Sequence, residues 1–190
     1  MKNPSVIFCL LLAACATTPN QHADLPPDPG QSCVRSLVGD QEFAPIANKM
    51  AIGGVSAQTF EMLSATLRLD DTEKPIVAKW VAARQRCFSL TSQWAQQNEM
   101  PAILWAARAQ EFTETMNLSA DLYNGKITYG EFAQRRARAK DRAEADYNAE
   151  VDRMADRQSQ RLQRAVQRAL TPSTTTNCMV YGSQMRCETR

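Results

Sequence analysis

The chain has 190 residues, with 22 basic and 20 acidic side chains, 6 cysteines and a single histidine. So even a balance supplies no broad field for nucleic acid, and the lone histidine, His22, lies in a Pro-rich stretch that leaves the folded domain no imidazole for a triad or a zinc site. Few glycines and a high share of Ala, Gln, Glu and Arg favour helix.

At the start, Lys2 precedes Ser5 to Ala14, a run of ten apolar or small residues. It is too short for a membrane-spanning helix, which needs roughly 20, and has the size of a signal-peptide core. The run closes on Leu12-Ala13-Ala14-Cys15, which resembles the lipid-attachment box of a bacterial lipoprotein precursor. That resemblance implies a signal peptide over 1–14, discarded together with Cys9, and a diacylglyceryl thioether on Cys15, the first mature residue. With Ala16 rather than Asp next, similarity to Gram-negative lipoproteins implies the outer membrane, facing the periplasm. At roughly 0.8 kcal/mol per buried methylene, two or three acyl chains anchor the protein for good. Removing 14 of 190 residues leaves 176, and losing Lys2 leaves one net positive charge. That is enough for one domain with a real core. No second apolar run of roughly 18 residues follows, so the lipid is the expected membrane contact.

Residues 15–32 are expected to be a tether. Thr17 to Gln31 holds Pro19, Pro26, Pro27, Pro29 and Gly30, a composition that favours a semi-extended chain. His22 lies in it as a solvated residue.

Residues 33–170 read as a helical domain. A first helix, about Phe43 to Ile52, holds Pro45 in its first turn and stops at Gly53-Gly54. Ser56 caps a second, with Phe60, Leu63 and Leu67 on one face. Asp70, Asp71 and Thr72 offer caps for a third, whose stripe is Ile76, Trp80, Ala83, Cys87, Leu90 and Trp94. Pro101 opens a fourth with Trp105, Ala109, Phe112, Met116, Ala120 and Tyr123 inward, and Gly125 stops it. Thr128-Tyr129-Gly130-Glu131 is a capping box for a fifth.

From Glu131 to Leu170 there is neither Gly nor Pro, so the fifth helix can run about 40 residues, near 60 Å. Its apolar stripe is thin: Phe132, Ala139, Ala143, Tyr147, Val151, Met154, Leu162 and Val166. A mildly acidic zone, Asp141 to Asp156, lies between two basic clusters. One is Arg135, Arg136, Arg138 and Lys140; the other is Arg157, Arg161, Arg164 and Arg168. A helix this long projects from the bundle or pairs with something. The basic clusters read as solvated surface, with docking of an anionic partner as the functional alternative.

The tail, 171–190, reads as a β-hairpin. Tyr181-Gly182-Ser183-Gln184 is a two-residue turn with glycine first, which sets Val180 opposite Met185 and Cys178 opposite Cys187. The cysteines then occupy a non-hydrogen-bonded pair, where α-carbons approach to about 4.5 Å, within reach of a disulfide. Export favours pairing of an even cysteine set, and closing this short loop contributes roughly 2.5 to 3 kcal/mol. Cys33 is left to pair with Cys87, a longer loop worth roughly 4 kcal/mol on the same model. The tail also resembles short hairpin tails on various exported bacterial proteins, a likeness that implies no activity.

The expected fold is therefore mainly α: a helical bundle with one long C-terminal helix and a small disulfide-linked hairpin. The expected function is that of a non-catalytic envelope lipoprotein, a structural or interaction module whose helical domain engages an envelope protein or itself. An inhibitor or accessory factor of an envelope hydrolase or secretion machine is the alternative. A cell-wall hydrolase is the third, because Glu111, Glu114 and Asp121 lie near one helix face and paired carboxylates can do that chemistry. No catalytic residue, metal, cofactor or nucleic-acid partner is expected, and the tryptophans are read as core rather than as a stacking platform for sugars.

Overall fold

The computed structural model describes residues 25–171 and 176–189. Residues 1–14, expected as a signal peptide, Cys15 and His22 lie outside them. Five α-helices follow in order: α1 (Pro29–Ser36), α2 (Phe60–Ser64), α3 (Lys74–Gln97), α4 (Ala102–Tyr123) and α5 (Tyr129–Leu170), then a hairpin of β1 (Thr176–Tyr181) and β2 (Gln184–Thr189). Helices α3, α4 and α5 pack in sequence, α1 lies on α3, and α2 lies on α5. The mainly helical fold with its long last helix and terminal hairpin is as expected.

α1 begins inside the stretch whose composition favoured a tether. Asp28 caps it through Gly30 N–H, 2.8 Å away, and also accepts from Thr91 Oγ1 of α3 at 3.1 Å. Trp94 Nε1 donates to the Pro26 carbonyl at 2.9 Å. A Cβ at Gly30 would meet the Cys87 carbonyl oxygen at 2.5 Å, so only glycine lets α1 cross α3 this closely. The Cys33–Cys87 disulfide, with α-carbons 5.4 Å apart, locks the crossing.

Two short helices differ from expectation. In place of a helix over Phe43 to Ile52 there is a 3₁₀ turn over Gln41–Ile46, capped by Asp40 through Glu42 N–H at 2.9 Å. Starting at Gln41 sets Pro45 four residues on, where its ring clashes with an α-helical carbonyl. The tighter turn instead buries Phe43 and Ile46. Ser56 lies in a further 3₁₀ turn, Val55–Ala57, and caps nothing. α2 is only one turn, capped by Thr59, and it buries Met62 while Phe60 and Leu67 stay 77% and 59% exposed. The chain beyond it turns extended because its carbonyls serve α5: Leu67 O accepts from Tyr129 N–H at 2.9 Å and Ala65 O from Gly130 N–H at 3.0 Å. Those are two of the orphan donors of a helix start. A Cβ at Gly130 would sit 2.4 Å from Ala65 O, so the contact requires glycine.

The capping box of α5 forms as read, whereas α3 starts at Lys74 behind Glu73, which makes no side-chain cap, and Asp70 holds the turn just before it. Asp70 Oδ1 accepts from Thr72 and Glu73 N–H at 2.9 and 3.0 Å. In the box of α5, Thr128 Oγ1 accepts from Glu131 N–H at 3.1 Å and Glu131 Oε2 from Thr128 N–H at 2.8 Å. α3 buries Trp80, Ala83 and Cys87 from the expected stripe, with Val77 in place of Ile76 and Ala95 beside a half-buried Trp94; Leu90 is exposed.

α4 corrects its expected face. Leu104, Ala107, Thr115, Ser119 and Leu122 point inward, one position off the aromatic set. Small residues let α4 approach its neighbours, and the Ser119 hydroxyl is satisfied by the Thr115 carbonyl at 2.7 Å. The displaced aromatics collect at the side, where the Phe88 ring stacks on Phe112 and Trp105 at 3.9 and 5.2 Å between centroids.

The core gathers at one end of the bundle. Val77, Trp80 and Ala83 meet Leu122, Tyr129 and Phe132 under a lid of Phe43, Ile46, Met50 and Ile52. In the hairpin, Val180 pairs with Met185 and Cys178 with Cys187, as expected. Gly182 takes φ +61° at the first turn position, and the disulfide joins α-carbons 4.0 Å apart.

Candidate functional site

Three arrangements stand out: a buried polar node, a basic cleft and the far end of α5. The node joins the starts of α3 and α5. Glu73, 5% exposed, pairs with Lys49 and accepts from Tyr129 Oη at 3.0 Å. Burial, and then the Glu73 carboxylate, push the Tyr129 phenol far above its ordinary range. The node fixes helix starts, and none of Lys49, Glu73 and Tyr129 lines the basic cleft.

The cleft, about 410 Å³, lies where α1, α3, α4 and α5 converge. α3 contributes Arg84, α4 Arg108 and Glu111, and α5 Arg136 and Lys140. Arg136 is 2% exposed. Its Nη1 donates to Ala51 O at 2.7 Å, and its guanidinium lies 5.3 Å from the Trp80 ring centre. Buried Arg84 Nε has no hydrogen-bond partner. Burial lowers the Arg84 pKa, with Glu111 opposing. Burial, then Arg84, push Arg136 down to about 9, again against Glu111, so Arg136 still carries its charge at neutral pH. Among the described residues Arg84, Arg108 and Arg136 form no ion pair.

Neither buried Arg136 nor half-buried Arg84 stands out as a ligand in the sequence, although both interrupt apolar stripes. Arg84 follows Trp80 by four and precedes Cys87 by three; Arg136 stands likewise between Phe132 and Ala139. Arg136 had been grouped with a solvated cluster, and its burial corrects that placement. Arg135 and Arg138 of the same cluster are exposed.

Of the three carboxylates weighed for hydrolysis, Glu114 and Asp121 line one cleft of about 370 Å³ and Glu111 lines another, the basic cleft. Glu114 pairs with Arg142, and Asp121 pairs with Lys126 at 3.0 Å. Trp80 is buried and donates to Ile52 O at 3.1 Å; Trp94 and Trp105 are half-buried. Among the described residues no three or more His, Cys, Asp or Glu side chains are grouped to hold a metal, and no helix is long and apolar enough to cross a membrane.

α5 changes character along its 42 residues. Its buried residues end at Ala139, and every residue from 155 to 170 is exposed. Leu162 and Val166 of the thin stripe are 66% and 48% exposed, and Leu170 is exposed too. Arg157, Arg161, Arg164 and Arg168 lie on this segment. At about 100° per residue they share one sector of about 60° with Asp146 and Glu150 further back. Comparison of the chain with protein-family models, with curated proteins and with solved structures finds no match.

Proposed function

We propose that the chain is a non-catalytic lipoprotein of a bacterial envelope, tethered to the outer membrane by an acylated Cys15 and facing the periplasm. It acts as a structural module, and the distal part of α5 pairs antiparallel with a second copy of the same chain. The observation that carries the pairing is the charge order of one helix flank. In an antiparallel pair each flank meets the same flank of its partner, so an acidic block followed by a basic block on one flank is self-complementary. Centred between Asp156 and Arg157, the register sets Glu150 between Arg161 and Arg164, and Asp146 between Arg164 and Arg168. The same register sets Leu162 opposite Val151 and Val166 opposite Tyr147, so the apolar stripe closes on itself. A parallel pair would instead set the four arginines side by side, which like-charge repulsion disfavours. The lipid anchor holds copies in one plane and raises their effective concentration.

The test uses the full lipidated chain in detergent, with mass read by sedimentation. Reversing Arg161, Arg164 and Arg168 to Glu is expected to give monomers, as is reversing Asp146 and Glu150 to Arg. Mixing the two variants is expected to restore a dimer, as a heterodimer. A monomeric wild-type chain, or a mixture that stays monomeric, rejects the pairing. The anchor is tested separately: Cys15→Ser should abolish palmitate incorporation and release the chain from membranes, and retention there would reject it.

A further inference from the structure

A buried guanidinium, Arg136, and a half-buried one, Arg84, line one cleft with no ion pair to either, a costly arrangement, since each loses hydration and repels the other. Such a pair persists where something else supplies the negative charge. Five cations line the cleft, Arg35, Arg84, Arg108, Arg136 and Lys140, against the two carboxylates Asp28 and Glu111. Asp28 also accepts from Gly30 N–H and Thr91 Oγ1, and Glu144, outside the cleft, is a third carboxylate that holds Lys140 at 2.7 Å. Two positive charges remain uncompensated, which matches a dianion better than a single carboxylate.

We infer that this cleft binds a phosphate monoester, with the phosphoryl oxygens held by the Arg84 and Arg136 guanidiniums. A phosphate monoester carries about −1.5 to −2 at neutral pH and presents several acceptor oxygens, to which guanidinium forks bind in bidentate fashion. Arg84 Nε, buried and without a partner, is a donor ready for one of them. At about 410 Å³ the space exceeds a bare phosphate and falls in the range of small-molecule sites. Phe88 and Phe112 also line it and offer an apolar wall to the ester's organic part. Burial, and then Arg84, lower the Arg136 pKa, and a bound dianion would oppose both. The site is independent of the α5 pairing, and either can fail alone.

The experiment is a calorimetric titration of the full chain, at constant ionic strength, with inorganic phosphate, glycerol 3-phosphate, dihexanoyl phosphatidic acid and acetate. The phosphates are expected to bind and acetate to bind far more weakly. Arg84→Gln is expected to weaken phosphate binding about tenfold or more, the loss of one charge-assisted contact, while leaving the circular dichroism spectrum unchanged. Arg108→Gln, nearer the surface, gives a second variant should Arg84→Gln not fold. Binding of glycerol 3-phosphate alone assigns a soluble ester; binding of the phosphatidic acid alone assigns a lipid headgroup; either supports the site. Acetate binding as tightly as phosphate, affinity unmoved by both substitutions, or no binding of any phosphate overturns it.

Discussion

The two ends of α5 follow one backbone geometry and opposite packing rules. Near its start, Tyr129, Gly130, Phe132, Ala133, Arg136 and Ala139 are all buried, and the first N–H groups are taken by carbonyls of the 65–67 segment. Sixteen residues at its far end, 155 to 170, touch solvent on every side. The near end is helix because tertiary structure holds it. The far end is helix because Ala, Gln, Arg and Leu favour that state and no Gly or Pro interrupts it. Since an isolated helix of this length is marginal in water, the far end gains order only by continuing a helix already nucleated, or from a partner.

The largest effect expected from this contrast is at Phe132. Its ring meets Trp80 edge-on with centroids 6.3 Å apart and also faces the Arg136 guanidinium at 5.9 Å. Phe132→Ala should therefore destabilise the bundle by about 3 to 5 kcal/mol through lost burial and a cavity. Denaturant unfolding followed by circular dichroism measures it, and a loss below about 1 kcal/mol would mean that the near end is not packed as described.

How legible each region was in the sequence follows the same division. Where a backbone signal is local, the reading held. Asp70 holds the turn that leads into α3 and the Thr128–Glu131 box starts α5, each through side chains that bond their own neighbours, and the Gly182 turn dictates the register that joins Cys178 to Cys187. Where structure depends on distant partners, it did not. The 41–67 segment has helical spacing, but most of it forms 3₁₀ turns and extended chain, and the Ala65 and Leu67 carbonyls go to Gly130 and Tyr129 rather than into an α-helix. α4 carries apolar residues nearly all round, so spacing could not choose its inner face; close approach through Ala107, Thr115 and Ser119 did. The cleft was hidden because arginines are usually surface residues. Only their positions within the Trp80–Cys87 and Phe132–Ala139 stripes betray them.

Tyr129 sharpens the comparison at intermediate size. Its hydroxyl is one of few donors to buried Glu73 Oε2, so Tyr129→Phe should cost about 1 to 3 kcal/mol at neutral pH. The pH dependence has a definite sign. Because the folded pKa is raised above the unfolded value of about 10, the phenol's contribution is complete below that pH. It declines as pH rises beyond it, since the unfolded chain releases the proton first. Absorbance titration should show one tyrosine ionising only with unfolding, and Tyr129→Phe should remove that lagging step. Four tyrosines titrating together in the folded chain would contradict the buried node.

The smallest effect is expected at Leu162. Its side chain is 66% exposed and no residue around it from 155 to 170 is buried. Leu162→Ala should therefore shift the unfolding midpoint of dilute, monomeric protein by less than about 0.5 kcal/mol. The same substitution should weaken association, because in the antiparallel register each copy sets Leu162 against Val151 of the other. Measuring both on one variant separates the two ends of α5: a change confined to association places Leu162 outside the cooperative bundle and inside an interface. A loss of monomer stability comparable to that of Phe132→Ala would instead fold the far end back onto the core and remove the free surface on which the pairing depends.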